Sequence, residues 1–546
     1  MAESQAAVIA EPLKGLISKL KVEKGLKPSG LIRLLKEANV QAEDLTPWHD
    51  FNHPPEDSYG RKLIYQGENF ELMVMSWKPG DFSTIHDHGN TIWGAVQIFG
   101  PAEHATFRME DDHLTTLARW QVDSNDVLGV SHSLIHQMGN PTKDYPFASL
   151  HIYGVDQNNS KITGDSRIFD LDKGQIQRHD GGVFYGLKDT DINSVEPGLK
   201  SDFHTRLRHM VEFSRRLLKI QKATDSDGGQ LESRLKQTYS IEQLPGFLNE
   251  LQQFTDENGH VQNSIYWKNL NNELREASSF QDKLKDNPKV NDHFHQYAEM
   301  YDALICQPML DNFMSNYLLF FKNNFIADIS SKSIISIGVG TALIEKYMID
   351  NMGVDYDNLY GIDISESMVE EACKRIHAEQ GDVLTLDPSV KMWDITYSGL
   401  NVFHYIDYEQ LEEAISKTAG ITKKGGWFLG DFITPDHIRW YPNVIYSADK
   451  KIVSLRTPRL IEDQGRIFQE SEIINVDFSG EQMAVNYAGK HKRFLPPMHR
   501  VRKYFEDAFG GQVKLFDAYS MELIPAEADT CLSTRYVVIA QKRNSK

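Results

Sequence analysis

Short apolar runs separated by Gly, Pro, Asn and Asp turns fill residues 50–190, among them KLIYQG, FELMVMSWKPGD, TIWGAVQIFGP and FASLHIYGVD. Strands this short and this closely spaced predict an all-β barrel or jelly roll. Ahead of them, LKGLISKLK and PSGLIRLLKEANV predict two small helices packed on that barrel. Between about 200 and 290 the pattern changes. Phe203, Leu207, Met210, Val211, Leu217 and Leu218 recur at helical spacing among Arg, His and Lys. TDSDGG (224–229) reads as a hinge or loop and ELREASSFQDKLKDNPK as a polar helix end. This stretch is expected to be a helical connector or an accessory cap on the domain that follows. From about 290 onward, SIISIGVG, ALIEKYMIDNM, LYGIDIS and ESMVEEACKRI alternate buried-type strands with helices, which predicts a parallel sheet covered on both faces. At 546 residues the chain exceeds one core. The expected division is an all-β domain over 1–190, a helical connector over 191–290 and an α/β domain over 291–546.

Charge and composition narrow the functions open to such a chain. The formal net charge of -19 argues against a nucleic-acid partner, which calls for basic patches. No apolar run approaches the roughly 18 residues that span a bilayer, and the first residues lack the order of a signal peptide. Three cysteines, at 306, 373 and 531, form no CxxC pair, so neither a disulfide framework nor a thiolate zinc site is expected. These features describe a soluble, cytoplasmic protein in a reducing compartment, with no membrane and no protein partner predicted.

HDHGN (86–90) places two histidines one residue apart. On a strand, residues i and i+2 share a face, so His86 and His88 project together and Asp87 faces away. A pair of surface histidines has the same spacing. IHQMGN adds His136 on a later strand, with Asn140 four residues on. With Gly100 between them, these segments resemble the two cupin motifs. Most cupins carry a glutamate ligand four or five residues after the second histidine, where this chain has Ile92 and Trp93. Three neutral imidazoles select against magnesium or calcium and suit Fe(II), with zinc or nickel as competitors.

A three-histidine cupin without the glutamate resembles the thiol dioxygenases typified by cysteine dioxygenase. YGRKLIYQ is similar to that family's substrate-arginine strand, SLHIY to its Ser-x-His-x-Tyr signature, and IFDLDKGQI to the strand pair closing its barrel. The resemblance runs from about residue 15 to 185. It implies a cupin jelly roll with Fe(II) on His86, His88 and His136, and Arg61 as a clamp for a substrate carboxylate. It further implies Tyr153, oriented by His151 and Ser149, beside a small thiol that O2 oxidises to a sulfinate. Cysteine is the leading substrate. Animal members cross-link their tyrosine to a cysteine five residues after the second histidine. Trp93 holds that position here, so no thioether forms, Trp93 is expected to shape the substrate pocket, and another thiol carboxylate stays open.

IISIGVGTALIEKYMI reads as strand, glycine turn and helix, with Gly338 and Gly340 permitting backbone approach to a ligand. LYGIDIS ends in Asp363, whose carboxylate is placed to accept ribose hydroxyls. A dinucleotide fingerprint would want glycine at position 343, which is Leu343. GIDISESMVEEACKR, GDVLTL, WDITYSGLNVFHYI and KKGGWFLGDF instead resemble successive motifs of class I S-adenosylmethionine-dependent methyltransferases, a Rossmann-like α/β fold. HQYAEMYDAL resembles the helix closing over the cofactor there. The resemblance implies S-adenosylmethionine as cofactor, Asp363 on its ribose, Asp382 near its adenine, Ser398 at the active-site rim and Tyr301 over it. Two positions depart from the pattern: Ser336 stands where the family has an acidic residue, and Ala342 where it has glycine. An insertion at about 435–500 interrupts the motifs, and Trp440, Tyr441 and Tyr446 either line an acceptor pocket there or pack a lid.

Together the two resemblances imply a bifunctional enzyme of sulfur metabolism acting on small molecules, with methylation expected at nitrogen because a sulfinate sulfur is a poor nucleophile. The alternative is a cupin that senses metal or thiol and regulates the methyltransferase.

Overall fold

The computed structural model describes residues 8–55, 57–156, 161–185, 187–224, 244–284, 294–295, 297–326 and 328–544. They form two compact units, Met1–Glu250 and Leu251–Lys546. Of the hinge expected at 224–229 only Thr224 is described. The polar helix end at 285–289 and the Leu218 side chain also lie outside the described residues.

The first unit is the expected jelly roll. One sheet orders its strands Gly60–Gln66, Phe70–Trp77, Phe147–Gly154, Trp93–Phe99 and Val127–Val130. Facing it are Ala102–Glu110, His113–Val122 and Ile135–Gly139, and a three-stranded sheet of Ser166–Asp170, Gln175–His179 and Ile192–Pro197. Successive side chains of a strand point to opposite faces. In Trp93–Phe99, Trp93 and Ala95 therefore pack outward with Leu150 and Ile152 against Leu16, Leu20, Leu31 and Leu35 of the helices Glu11–Val22 and Pro28–Ala38. Val96 and Ile98 turn inward with Met73, Met75 and Tyr153.

This unit does not stop near residue 190. Ile192–Pro197 pairs antiparallel with Gln175–His179, and Lys200–Ser201 pairs in parallel with His113 and Leu114. Helix Phe203–Thr224 then lies on the sheet: Thr205 Oγ1 accepts from the Thr116 amide at 2.9 Å, and the Glu212 carboxylate meets Arg119 at 3.3 Å. The expected connector over 191–290 is thus divided. Its first part is barrel and barrel-backing helix, because an edge strand as polar as INSVEP carries no apolar alternation to announce it. Its last helix, Ser264–Leu284, packs in the second unit, where Ser278 and Gln281 accept from the Tyr487 and Val485 amides.

The second unit is built on a seven-stranded sheet. Ile334–Ile337 is the middle of its five parallel strands, flanked by Leu359–Asp363 and Trp393–Ser398. His377–Gln380 and Thr422–Ile433 extend the parallel part, and Arg535–Lys542 enters antiparallel between Thr422–Ile433 and Gly510–Asp517. The chain reverses its direction of winding at Ile334–Ile337, where open α/β sheets bind ligands beyond the strand ends. The insertion forms a separate antiparallel sheet of Val444–Tyr446, Ile452–Asp463, Arg466–Asp477 and Ala484–Phe494. Among the described residues, no helix is long and apolar enough to cross a membrane.

Candidate functional site

The three predicted histidines converge. His86 is held by bridges to His136 and Ile168 rather than within a long strand, and the ring centroids of His86, His88 and His136 stand 4.6–5.1 Å apart. Their ligating nitrogens all lie within 4.8 Å of one another. The turn is fastened from behind. Asp87 faces away as expected but is itself buried, accepting from Arg167 Nε at 2.6 Å and from the Arg167 amide at 2.8 Å. Gly89 has φ +46°, and a Cβ there would meet the Gly164 carbonyl at 2.2 Å, so only glycine completes the turn.

Proton accounting shows that the cluster suits a metal ion. His86 Nδ1 lies 2.8 Å from the Thr84 carbonyl, which only an N–H can satisfy, leaving the Nε2 lone pair facing His136 Nε2 at 3.2 Å. Nε2 of His88 is buried without a hydrogen-bond partner. Burial lowers the pKa of all three rings, that of His86 to about 4, so the imidazoles are neutral near pH 7 with lone pairs to donate. Orphaned imidazole nitrogens aimed at one point fit a divalent metal, and three neutral nitrogen donors fit iron. His104, which carried no sequence signal, lies 2.7 Å from Nδ1 of His136 and fixes that ring.

Beside the histidines lies a small cavity lined by Tyr59, Arg61, Met73, Met75 and Tyr153. Arg61 projects from the strand opposite Met75, its Nε sealed from solvent without a partner, and no carboxylate of the described residues pairs with it. Ser149, His151 and Tyr153 form the expected chain, extended by Trp77. Trp77 Nε1 is 2.8 Å from Ser149 Oγ, Ser149 Oγ is 2.7 Å from His151 Nε2, and His151 Nδ1 is 2.8 Å from Tyr153 Oη. The indole can only donate, so it sets the direction. Ser149 is fully buried and its proton has one acceptor, His151 Nε2. Burial lowers the His151 pKa to about 3, so this neutral ring carries its proton on Nδ1 and donates to Tyr153. Burial also raises the phenol pKa far above its ordinary value, and the Tyr153 proton is left for the cavity.

Trp93 does not line this cavity. Strand parity turns its indole outward, 2% exposed, into the helix-backed layer. The residue against Tyr153 is Gly94, where a Cβ would meet the tyrosine Cδ1 at 3.2 Å. Gly100 serves packing: a Cβ there would meet Phe147 Cβ at 2.3 Å. Asn140 does too, donating to the Trp77 and Tyr145 carbonyls.

In the second unit, a cleft of about 250 Å³ opens at the ends of the central strands, lined by Gly338, Gly340, Asp363, Asp382, Tyr301 and Glu345 among others. Gly338 (φ +69°) presses against Val402, where a Cβ would come within 2.4 Å, and Gly340 (φ +56°) lies open beside Tyr301. Asp363 braces the loop, accepting from the Gly340 amide at 2.9 Å and the Ser365 amide at 2.9 Å. Asp382 accepts from the Leu384 amide. Tyr301 is held over the loop by its neighbour Asp302, which accepts from Thr341 and pairs with Arg375.

Two expectations change here. Ser398 is outside the cleft lining, because its hydroxyl turns back to donate to the Ile337 carbonyl at 3.0 Å. The missing acidic residue is replaced from the helix: Ser336 Oγ donates to Glu345 Oε1 at 2.6 Å, placing a buried carboxyl in the cleft from a different element. Burial raises the Glu345 pKa to about 7. Ala342 adopts φ +61°, the conformation of the glycine expected there. In the insertion Trp440 is 64% exposed, Tyr441 is buried against Arg456 and Tyr446 is half-buried; none of them lines the cleft.

Residues 31–159 match the family described as cysteine dioxygenase type I, and residues 334–426 match a methyltransferase domain family. Cysteine dioxygenase type 1 of Homo sapiens and that of Pongo abelii are each 27% identical over 115 residues, 20% of this chain and 58% of theirs. The chain thus spans a little over half the length of these curated relatives. A solved S-adenosylmethionine-dependent methyltransferase from Clostridium acetobutylicum superposes with a TM-score of 0.37 at 16% identity, covering 46% of this chain and 99% of its own. DesVI of Streptomyces venezuelae gives 0.34 at 14% identity, covering 47% and 100%. Both matched families are families of enzymes, and this chain joins a cysteine dioxygenase-type cupin segment to a methyltransferase segment in one polypeptide.

Proposed function

We propose that the chain oxygenates a small thiol bearing a carboxylate to its sulfinate, with cysteine the leading substrate, and methylates a related amine with S-adenosylmethionine. The observation that carries the first activity is the pairing of three neutral, converging imidazoles with an unpartnered guanidinium across one small cavity. His86, His88 and His136 would hold ferrous iron, which when bound brings a thiolate and O2 together for transfer of oxygen to sulfur. Arg61 binds the substrate carboxylate by two parallel hydrogen bonds and fixes which end of the molecule faces the histidines. Tyr153, its hydroxyl proton directed outward by the Trp77–Ser149–His151 chain, donates a hydrogen bond into the cavity, and Met73 and Met75 help exclude water. A module that only sensed metal would have no use for Arg61 and Tyr153.

For the second activity, Gly338, Gly340, Asp363, Asp382 and Tyr301 surround a cleft suited to a nucleoside with a charged tail. The acceptor nitrogen attacks the sulfonium methyl with its lone pair, the thioether leaves, and the nitrogen sheds a proton. Mass spectrometry of products from the purified chain with Fe(II), O2, S-adenosylmethionine and a panel of thiols tests both halves. Sulfinate carrying two atoms from labelled O2 is expected, and no oxygen uptake with any thiol overturns the first activity. Saturable S-adenosylmethionine binding, lost on Asp363→Ala, is expected for the second, and its absence overturns that one.

A further inference from the structure

Two arginines of the inserted sheet, Arg456 buried and Arg493 half-buried, have no counter-ion among the described residues. Arg456 is 6% exposed and donates only to phenols, Nη2 to Tyr297 at 3.0 Å and Nη1 to Tyr441 at 3.2 Å. Arg493 donates to the Tyr405 hydroxyl at 2.9 Å, with its guanidinium 5.0 Å from the Tyr405 ring centre and 5.8 Å from that of Tyr441. The Nε of each arginine is sealed from solvent with no partner. Among the described residues, no carboxylate pairs with either. The chain handles its other buried arginines differently: Arg535, 5% exposed, meets Asp431 at 2.5 Å, and Arg208, 7% exposed, pairs with Glu103 and Glu212. A guanidinium cannot shed its proton, and an uncompensated charge away from water is costly, so the cage favours a negative group. Burial would raise the Tyr441 pKa, but the two guanidiniums bring it below the ordinary phenol value. Even a Tyr441 phenolate would balance only one of two positive charges. Opposite Arg493 in strand register, Gln469 is 2% exposed with neither amide atom partnered, which leaves a second polar group able to bind a ligand there. The cage adjoins the cofactor cleft, because Tyr405, which accepts from Arg493, also lines that cleft with Tyr301.

We infer that Arg456 and Arg493, with Gln469 and their ring of tyrosines, bind the anionic end of the methyl acceptor, which is therefore a small amine carrying a carboxylate, sulfinate or sulfonate. This rests on the methyltransferase reading for what the anion is used for, and on the unpaired guanidiniums for its existence. A dioxygenase acting on an amino thiol produces such a molecule.

The test is calorimetric titration of the full chain carrying Arg61→Ala, so that the barrel's guanidinium does not register, with S-adenosylhomocysteine present. The ligands are cysteine sulfinate, hypotaurine (sulfinate only), β-alanine (carboxylate only) and cysteamine (neither). Saturable binding of at least one anionic amine is expected, with cysteamine silent. Arg456→Gln and Arg493→Gln should weaken that binding tenfold or more while S-adenosylhomocysteine affinity holds. The hypotaurine and β-alanine arms tell which oxyanion the cage takes. Silence from every anion, equal binding of cysteamine, or unchanged affinity in both variants overturns the inference. The ligand series decides the question even where a glutamine variant does not fold. Anion binding without S-adenosylhomocysteine binding instead overturns the methyltransferase reading and leaves an anion site.

Discussion

Nε2 of His104 sits 2.7 Å from Nδ1 of His136, and the two rings share one proton between those nitrogens. With that proton on His136, its Nε2 is fixed as a lone pair facing His86. His104→Phe keeps a ring in the same layer but removes the acceptor. Metal affinity should fall by about 10–100-fold, the usual cost of losing such an orienting partner. Chelator competition with Fe(II) or Co(II) measures it, and an unchanged dissociation constant would refute the assignment.

Arg61 and Trp93 should separate by what they damage. Arg61→Ala removes a charge-assisted pair worth about 2 kcal/mol, so KM for thiol carboxylates should rise roughly 30-fold. A thiol lacking the carboxylate should feel the change far less. Trp93→Phe should leave KM alone and lower stability by about 1–2 kcal/mol, because the indole packs in the helix-backed layer. Steady-state kinetics and melting of the same preparations check both.

Ala342 occupies a left-handed backbone conformation at φ +61° and is 1% exposed. An L-residue loses about 1–2 kcal/mol there, against about 0.8 kcal/mol for one buried methyl. Ala342→Gly should therefore stabilise the second unit by a net ~0.5–1 kcal/mol. Chemical denaturation followed by hydrogen exchange in residues 334–345 would show it, and a loss of stability would contradict the geometry.

Glu345 should make the protein less stable as pH rises. Burial raises its folded pKa to about 7, against an ordinary 4.5, so between those values the folded chain holds a proton that the unfolded chain has released. The contribution is fully present below pH 4.5 and lost as pH rises through 7. Glu345→Gln retains an acceptor for Ser336 and removes that slope. From pH 5 to 8 the parent should lose up to about 3 kcal/mol relative to the variant. Parallel melting curves across that range would argue against a protonated Glu345.

Much of this was legible in the residues. The alternation of FELMVMSW and FASLHIYG, the HDH pair with IHQMGN, and SIISIGVG before LYGIDIS each carry their own geometry. Other features depend on pairings that no local spacing encodes. His104 reaches His136 only because Ala102–Glu110 pairs with Ile135–Gly139. Counting residues from His88 selected Trp93, whereas strand parity puts Gly94 at the tyrosine. A carboxyl absent at Ser336 returns from Glu345, nine positions along, once the helix folds back over the strand. Arg456 and Arg493 sit in segments that interrupt the motif pattern, and their setting emerges only when the fold brings Tyr297, Tyr405 and Tyr441 to them and, among the described residues, no carboxylate.

The continuation of the barrel beyond residue 190 bears on how the two halves can be taken apart. Ile192–Pro197 occupies the outer margin of the three-stranded sheet, and helix Phe203–Thr224 buries Leu207, Met210 and Val211. A fragment cut at residue 190 would leave Gln175–His179 with an unzipped hydrogen-bonding margin and bare the oily ground beneath the helix, an invitation to self-association. The severable half extends to about residue 250, and the histidine cluster travels with it.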